Sequence, residues 1–306
     1  MKMVVIRPGL LDTIQDLGRP GFRQMGIPEG GAADREAIVL ANRLVGNEDG
    51  AACIEFALRG PLLRFPNGGV VSLTGARFEI GCAGGAVSWN QTLVLGAGEE
   101  LEIGRAIDGC RGYLGVAGGI SLGPVLDSCA TFLPGAFGGL NGRQLKRGDE
   151  LLSGESQAVR IGRASVTRDS GPLRVVAGPQ LGAFTEGALL GLFSGSFIVD
   201  VRSDRTGIRL SGPGLETSVQ ADLPSQGVLP GALQVPPEGQ PIIVGWDGPV
   251  TGGYPVIAGV IAADLARVAQ LRPGDRVNFM ALDPEQARHI WADRQMELDR
   301  GIAWLA

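Results

Sequence analysis

The chain has 306 residues, of which 50 are glycine, 19 proline and one histidine, and 44% of it is hydrophobic. Glycine stands well above its usual share of about 7%, but without a three-residue period, which excludes collagen, while the apolar content excludes a disordered chain. Twenty-seven basic residues against 32 acidic ones give a net charge of −5 with no basic stripe, which excludes ordinary nucleic-acid binding.

In chain order, short apolar runs predict strands at 4–7, 53–58, 70–74, 101–103, 113–116, 173–176, 197–201, 207–210, 242–246, 256–260 and 276–280. Gly-Pro, Asn-Gly, Gly-Asp and Gly-Gly steps between them supply turn chemistry, so the pattern is that of a β-barrel or sandwich protein. Three helices are expected. The first covers 34–45, capped by Asp34, with Ala37, Leu40, Ala41 and Leu44 on one face and Gly46-Asn47 as its stop. The second covers 262–271. The third opens at Asp283-Pro284-Glu285 and should turn Ala287, Ile290, Trp291 and Leu298 inward. Two internal echoes suggest related halves: Leu58-Arg59-Gly60-Pro61-Leu62 with Leu210-Ser211-Gly212-Pro213-Gly214-Leu215, and Leu145 to Leu151 with Leu271 to Val277. Chance recurrence in a glycine-rich chain is the alternative. The polar stretch 165–171 places a domain boundary between 1–167 and 168–306.

Several chemistries are absent from the sequence. There is no P-loop and no dinucleotide-binding glycine motif opening a helix. Lys2 and Lys146 are the sole lysines, and neither is placed for Schiff-base work. His289 lies in the third predicted helix and reads as a surface or partly buried helix histidine. Cys53, Cys82, Cys110 and Cys129 lack C-x-x-C spacing, and the chain opens without a signal-peptide pattern, so four free, buried thiols and a cytoplasmic location are expected. No apolar run is long enough for a membrane span.

Four segments concentrate polar groups. Trp246-Asp247-Gly248-Pro249-Val250-Thr251-Gly252-Gly253-Tyr254-Pro255 follows a hydrophobic strand with a carboxylate, two hydroxyls and two glycines whose backbone could approach a ligand or form an anion nest; the alternative is a turn packed between strands. Arg202-Ser203-Asp204-Arg205-Thr206-Gly207 could bind carboxylate or phosphate through its arginines, or be a charged strand edge. Asp12 to Gly21 reads as a polar loop presenting Arg19, or a tight structural turn. Gln234 sits in an apolar, proline-bounded strand, where its amide needs a backbone or ligand partner.

These segments occur in a recognisable order. Arg7-Pro8-Gly9-Leu10, Gln15-Asp16-Leu17-Gly18-Arg19-Pro20-Gly21, Ala41-Asn42-Arg43-Leu44-Val45-Gly46-Asn47, Thr131-Phe132-Leu133-Pro134-Gly135, Ser203-Asp204-Arg205, Gln234-Val235-Pro236-Pro237 and Thr251-Gly252-Gly253-Tyr254-Pro255 together resemble the biotin-dependent carboxyltransferase-like family. That family includes allophanate hydrolase subunit 2, KipA and the 5-oxoprolinase C subunit. The resemblance implies a mainly β protein of two cyclophilin-like β-barrel domains with a few short helices. It departs from the family at Pro249 and Val250, where many members have Gln-Thr, at Val256 for a lysine, at Gln226 for an acidic residue, and at Cys129 for an arginine.

The resemblance implies a C-type component of an ATP-dependent 5-oxoprolinase complex, converting 5-oxoproline to L-glutamate and inactive alone. Its partners would be a KipI or allophanate hydrolase subunit 1-like protein, in the B position of the complex, and a 5-oxoprolinase A-like protein. ATP would enter through the complex; biotin is possible, with no attachment site here. The alternatives are a KipA-like module that binds a KipI-like inhibitor, and the carboxyltransferase part of a urea or amide carboxylase. Residue type assigns Asp204, Arg205, Asp247 and Tyr254 as catalytic, and Arg19, Gln234, Thr251, Gly252 and Gly253 as substrate-binding. In that assignment Arg205 pairs with a substrate anion, Gln234 reads the amide edge, Asp247 orients a proton donor or nucleotide, and the glycine amides hold oxyanion charge.

Overall fold

Alternating apolar residues and glycine-bearing turns fold the chain into many short strands, as the sequence pattern requires. The computed structural model describes residues 1–82, 89–156, 159–167, 169–218 and 223–305. Position 168, at the boundary expected from the sequence, lies outside the described residues. Two compact units result: Met1–Arg19 with Gly30–Thr167 and Glu297–Ala306, and Pro20–Glu29 with Arg168–Met296.

The first unit contains β1 (Lys2–Arg7), β2 (Asp12–Gln15), β3 (Cys53–Ala57), β4 (Leu62–Phe65), β5 (Gly69–Gly75), β6 (Phe78–Cys82), β7 (Gln91–Leu95), β8 (Glu99–Ala106), β9 (Arg111–Val116), β10 (Glu150–Leu152) and β11 (Gly162–Ala164). The second contains β12 (Leu173–Ala177), β13 (Phe197–Val199), β14 (Gly207–Ser211), β15 (Gln226–Gly227), β16 (Ala232–Gln234), β17 (Ile242–Val244), β18 (Thr251–Gly252), β19 (Val256–Val260), β20 (Arg276–Val277) and β21 (Phe279–Ala281). The last strand, β22 (Ile302–Trp304), returns to pair with β11. In the first unit the sheets run β10-β1-β4-β8-β6 and β2-β3-β9-β5-β7-β11-β22. In the second, β20-β13-β14-β17-β16-β19-β12-β21 form one sheet and β15-β18 a short ribbon. The protein is thus mainly β with few helices, the class expected from the sequence.

Helix α1 (Arg35–Leu44) starts where Asp34 accepts the Ala37 N–H at 2.9 Å. Ala37, Leu40, Ala41 and Leu44 are all buried, as their spacing predicts. The Asn-Arg-Leu-Val-Gly-Asn run closes it. Asn42 donates to the carbonyls of Asp49 and Ala51 and accepts from Asn47, whose own oxygen takes the Gly118 N–H. Helix α2 (Glu186–Ser194) has no counterpart in the sequence expectation, because its apolar residues surround the whole cylinder and show no stripe. Helix α3 (Leu265–Ala269), preceded by a 3-10 turn at Ala262–Asp264, is shorter than expected.

Helix α4 (Pro284–Arg300) opens as predicted, with Asp283 accepting the N–H groups of Glu285 and Gln286. Its inward face is a correction: only Leu298 is buried, Ala287 and Ile290 are half-covered, and Trp291 and His289 are exposed. Leu298 packs with Leu40, Leu44 and Ala164, so this helix is anchored by its last turn. Among the described residues no helix is long and apolar enough to cross a membrane.

One of the two echoes is structural. Gly148 and Gly274 have φ of +88° and +90°. Gly148 donates to the Val5 carbonyl and Gly274 to the Val199 carbonyl, both at 2.8 Å. Asp149 Oδ2 accepts the Lys146 N–H at 2.7 Å, and Asp275 Oδ2 the Arg272 N–H at 2.8 Å. Val5 and Val199 are therefore equivalent, and so are their partners Leu63 and Leu210. The other echo is fortuitous, since it aligns Leu210 with Leu58 instead of Leu63.

Candidate functional site

Strand β16 lies between β17 and β19, with a bulge between Leu233 and Gln234 that sets Gln234 opposite Val256. Gln234 is 5% exposed. Beside it the β15-β18 ribbon pairs Gln226 with Gly252 and Gly227 with Thr251. The loop after β12 lies on β19: Gly178 donates to the Ile257 carbonyl, and Gln180 exchanges bonds with Val256, donating its N–H to Val256 O and accepting the Val256 N–H on Oε1 at 2.9 Å. A Cβ on Gly178 would strike the Val256 oxygen, so this approach needs glycine.

Gln180 then donates through Nε2 to Gln226 Oε1 at 3.2 Å. The Nε2 atoms of Gln226 and Gln234 are buried without a hydrogen-bond partner among the described residues. A Cβ at Gly252 would lie 2.6 Å from Gln234 Nε2 and 3.4 Å from Val228 Cγ2, so the Gln234 amide packs directly against the bare α-carbon. The chain just after β15 is held by Arg23, whose guanidinium donates to the Val228 carbonyl.

Arg205 and Asp247 are brought together, but with each other. Arg205 Nε and Nη2 donate to Asp247 Oδ2 and Oδ1 at 2.7 and 3.0 Å, with side chains 5% and 1% exposed. The Asp247 N–H bonds Arg205 O, the Gly245 N–H bonds Thr206 O, and Cβ atoms at Gly245 or Gly248 would strike the carbonyls of Arg205 or Thr206. The fork that residue type offered to a substrate anion is engaged in tying two loops together. Asp204 is exposed and accepts from Thr206 N, Thr206 Oγ1 and Gly207 N, a local turn. Thr251 and Tyr254 are exposed on the glycine segment. Neither Gly252 nor Gly253 has positive φ, and Gly252 is in a strand, so the segment is not an anion nest.

Arg19 belongs to the first unit. It is fully buried, donates to the Ala130 carbonyl and stacks 4.9 Å from the Phe137 ring centroid. The segment before it, expected as a polar loop, holds the buried strand β2. Burial pushes the Asp12 carboxyl up to about 7, against the opposing Gly9 N–H and the Arg59 charge. Asp16 accepts from Gly18 N, Ser128 Oγ and Cys129 N, closing the loop that carries Cys129.

Among the described residues no group of three His, Cys, Asp or Glu side chains could hold a metal ion. What the second unit offers instead is a patch of amide donors over a glycine, able to grip an acceptor oxygen. Gln180 and Gln226 were not among the sequence candidates. The signals were faint: Gln180 follows a Gly-Pro step, and Gln226 replaces the acidic residue expected by resemblance.

Residues 25–281 match the family model described as carboxyltransferase domain, subdomain A and B. The chain is 38% identical over 302 residues to the C subunit of 5-oxoprolinase from Escherichia coli K12, covering 98% of this chain and 97% of that protein. It is 36% identical to the C subunit of 5-oxoprolinase from Haemophilus influenzae, with 94% of both covered. The crystal structure of Kluyveromyces lactis urea amidolyase superimposes with a TM-score of 0.91 at 29% identity, covering 98% of this chain but only 20% of that one. The chain belongs to the carboxyltransferase-domain family, subdomains A and B.

Proposed function

We propose that this chain is the C-type subunit of a 5-oxoprolinase, a complex that opens the lactam of 5-oxoproline to L-glutamate at the expense of ATP. The single observation carrying this reading is the end-to-end match to the E. coli protein, which leaves no large part of either chain unpaired. The amide patch suits the role. Neutral N–H donors can hold a lactam's carbonyl oxygen and so fix the ring while its carbon is attacked. ATP enters through the complex, which an A-like protein and a KipI-like, B-like protein complete. We place the complex in the cytoplasm, where ATP is available and the four free cysteines stay reduced.

The test is reconstitution. The chain co-purified with its A-like and B-like partners should release glutamate and phosphate from 5-oxoproline and ATP. Tight assembly without turnover would overturn the reading and leave a KipA-like binding module. A second reading, carboxyl transfer from biotin to urea or another amide, draws on the superposition with urea amidolyase. It requires that avidin abolish turnover; activity indifferent to avidin rejects it.

A further inference from the structure

We propose that Gln180, Gln226 and Gln234 form a polarised carboxamide relay that clamps the carbonyl oxygen of a small planar amide over Gly252. Gln226 and Gln234 touch the ligand, and Gln180 is a positioning residue behind them. The relay takes its direction from its first member. The Val256 N–H can only donate, so Gln180 must face it with Oε1. The Gln180 amide nitrogen is thereby turned toward Gln226 and donates to Gln226 Oε1. Gln226 is left presenting its own nitrogen, which is buried and has no partner among the described residues.

Gln226 stands directly opposite Gly252 in the antiparallel ribbon. Directly opposed residues project from the same face, with Cβ positions about 5 Å apart. On that face Gly252 has no Cβ, and the space where one would be lies 2.6 Å from Gln234 Nε2, the second buried donor without a partner. Gln234 therefore lays its amide against the bare α-carbon that Gln226 opposes, and both donors belong to that face of the ribbon. Buried donors call for an acceptor, and a ligand oxygen supplies one. The donors are neutral, and the Arg205 fork is held by Asp247, which suits a neutral carbonyl of a lactam or ureide.

The identity of the ligand rests on the lactam reading above; the polarity of the relay does not. The experiment uses Gln180→Glu, Gln180→Ala and Gln226→Glu in the full chain, assembled with its partner proteins. Glutamate at 180 still accepts from Val256 but turns its second oxygen on Gln226, which must reverse and offer oxygen to the ligand. We expect Gln180→Glu to raise KM for 5-oxoproline by about tenfold or more with kcat changed less than about threefold, and Gln226→Glu to do at least as much. Gln180→Ala, which merely frees Gln226 to rotate, should raise KM less than Gln180→Glu; a purely structural role would reverse that order, because alanine removes more contacts.

If the wild-type complex turns over 5-oxoproline and both glutamate variants keep KM within about twofold, the clamp is overturned and the lactam reading stands. If the wild-type complex does not use 5-oxoproline, that reading fails. The clamp is then judged by NMR titration of the chain alone with 2-pyrrolidone and urea. Binding to wild type that is lost in Gln180→Glu upholds it; binding unchanged in the variant, or absent from the wild-type chain, overturns it. Superimposable circular dichroism melts show that Gln180→Glu is folded, and Gln226→Glu carries the comparison if it is not.

Discussion

Removing one partner of the Arg205–Asp247 pair tests whether these residues hold the fold or meet the substrate. Both side chains are almost fully enclosed, and two hydrogen bonds of 2.7 and 3.0 Å join them. Asp247→Asn removes the charge, keeps the volume, and sets an NH2 group against the guanidinium. A buried charge left without its counter-ion costs about 3–5 kcal/mol. That is a large share of a total stability of about 5–15 kcal/mol for a typical domain. The double variant Arg205→Met with Asp247→Leu fills the same space without charge and should recover to within about 1–2 kcal/mol of wild type. The two single losses would then exceed the double loss, a coupling of at least about 2 kcal/mol. Urea unfolding of wild type, the single variants Arg205→Met and Asp247→Leu and their double, with Asp247→Asn beside them, followed by circular dichroism at constant m-value, measures each term. Single variants costing under about 1 kcal/mol would refute the structural assignment, and loss of turnover without loss of stability would return Arg205 to the active site.

Three further outcomes follow from the geometry. Asp12, raised from an ordinary 3.8 to about 7 in the fold, binds its proton more tightly folded than unfolded. Its contribution is complete below the ordinary value and is lost as pH rises through about 7, a decline of up to about 4 kcal/mol at about 1.4 kcal/mol per unit. Asp12→Asn should flatten that slope, and equal slopes for the two proteins would reject the shift. Gly148→Ala and Gly274→Ala place a Cβ in open space but at φ near +90°, so each should cost about 1–2 kcal/mol, and by similar amounts, in thermal unfolding. A large difference between them would argue against equivalent turns. Gly252→Ala meets only the flexible end of Gln234 and one Val228 methyl, so stability should fall by less than about 1 kcal/mol. The same change should weaken 2-pyrrolidone binding severalfold, and unchanged affinity would place the ligand elsewhere.

The parts of the fold that were legible in the sequence are those where local chemistry and burial agree. Helix α1 carries a cap, a stripe and a stop, and all three act in the structure. The Gly-Asp turn recurs because its requirements are local: a left-handed glycine and a carboxylate that takes the N–H three residues back. The Gly-Pro echo misled because glycine there answers to packing. Gly60 is pressed against Ile103 and Phe56, and Gly212 against Phe197. Strand β2 hid as a loop because Asp12, Thr13 and Gln15 are polar yet buried, with Gln15 Nε2 donating to Thr13 Oγ1 and the Thr131 carbonyl and burial raising the Asp12 carboxyl. Helix α4 misled in the opposite way: its apolar spacing is real, but only the turn bearing Leu298 finds a surface to cover.

At the candidate site residue type alone leaves open which groups face a ligand and which face each other. An arginine and an aspartate 42 positions apart look like two functional groups, and burial makes them one neutral pair. Gln234 was legible because an amide in an apolar strand demands a partner. Gln180 and Gln226 were not, because a carboxamide has no intrinsic direction. Which end it shows to a ligand is settled by whatever fixes its other end. Here that is the Val256 backbone N–H, reached only because Gly178 lets the loop settle on β19. The donor at Gln226 is thus written in three separate segments of sequence, around 178–180, 226 and 256. A substitution at Gly178 should therefore change ligand preference before it changes anything at the ligand's own contacts. Gly178→Ala, whose Cβ would strike the Val256 oxygen, should lift Gln180 from β19, release Gln226 to rotate, and raise KM for the amide while the Gln226 and Gln234 side chains remain intact. Affinity unchanged in a folded Gly178→Ala protein would show that the donor is fixed by something other than this relay.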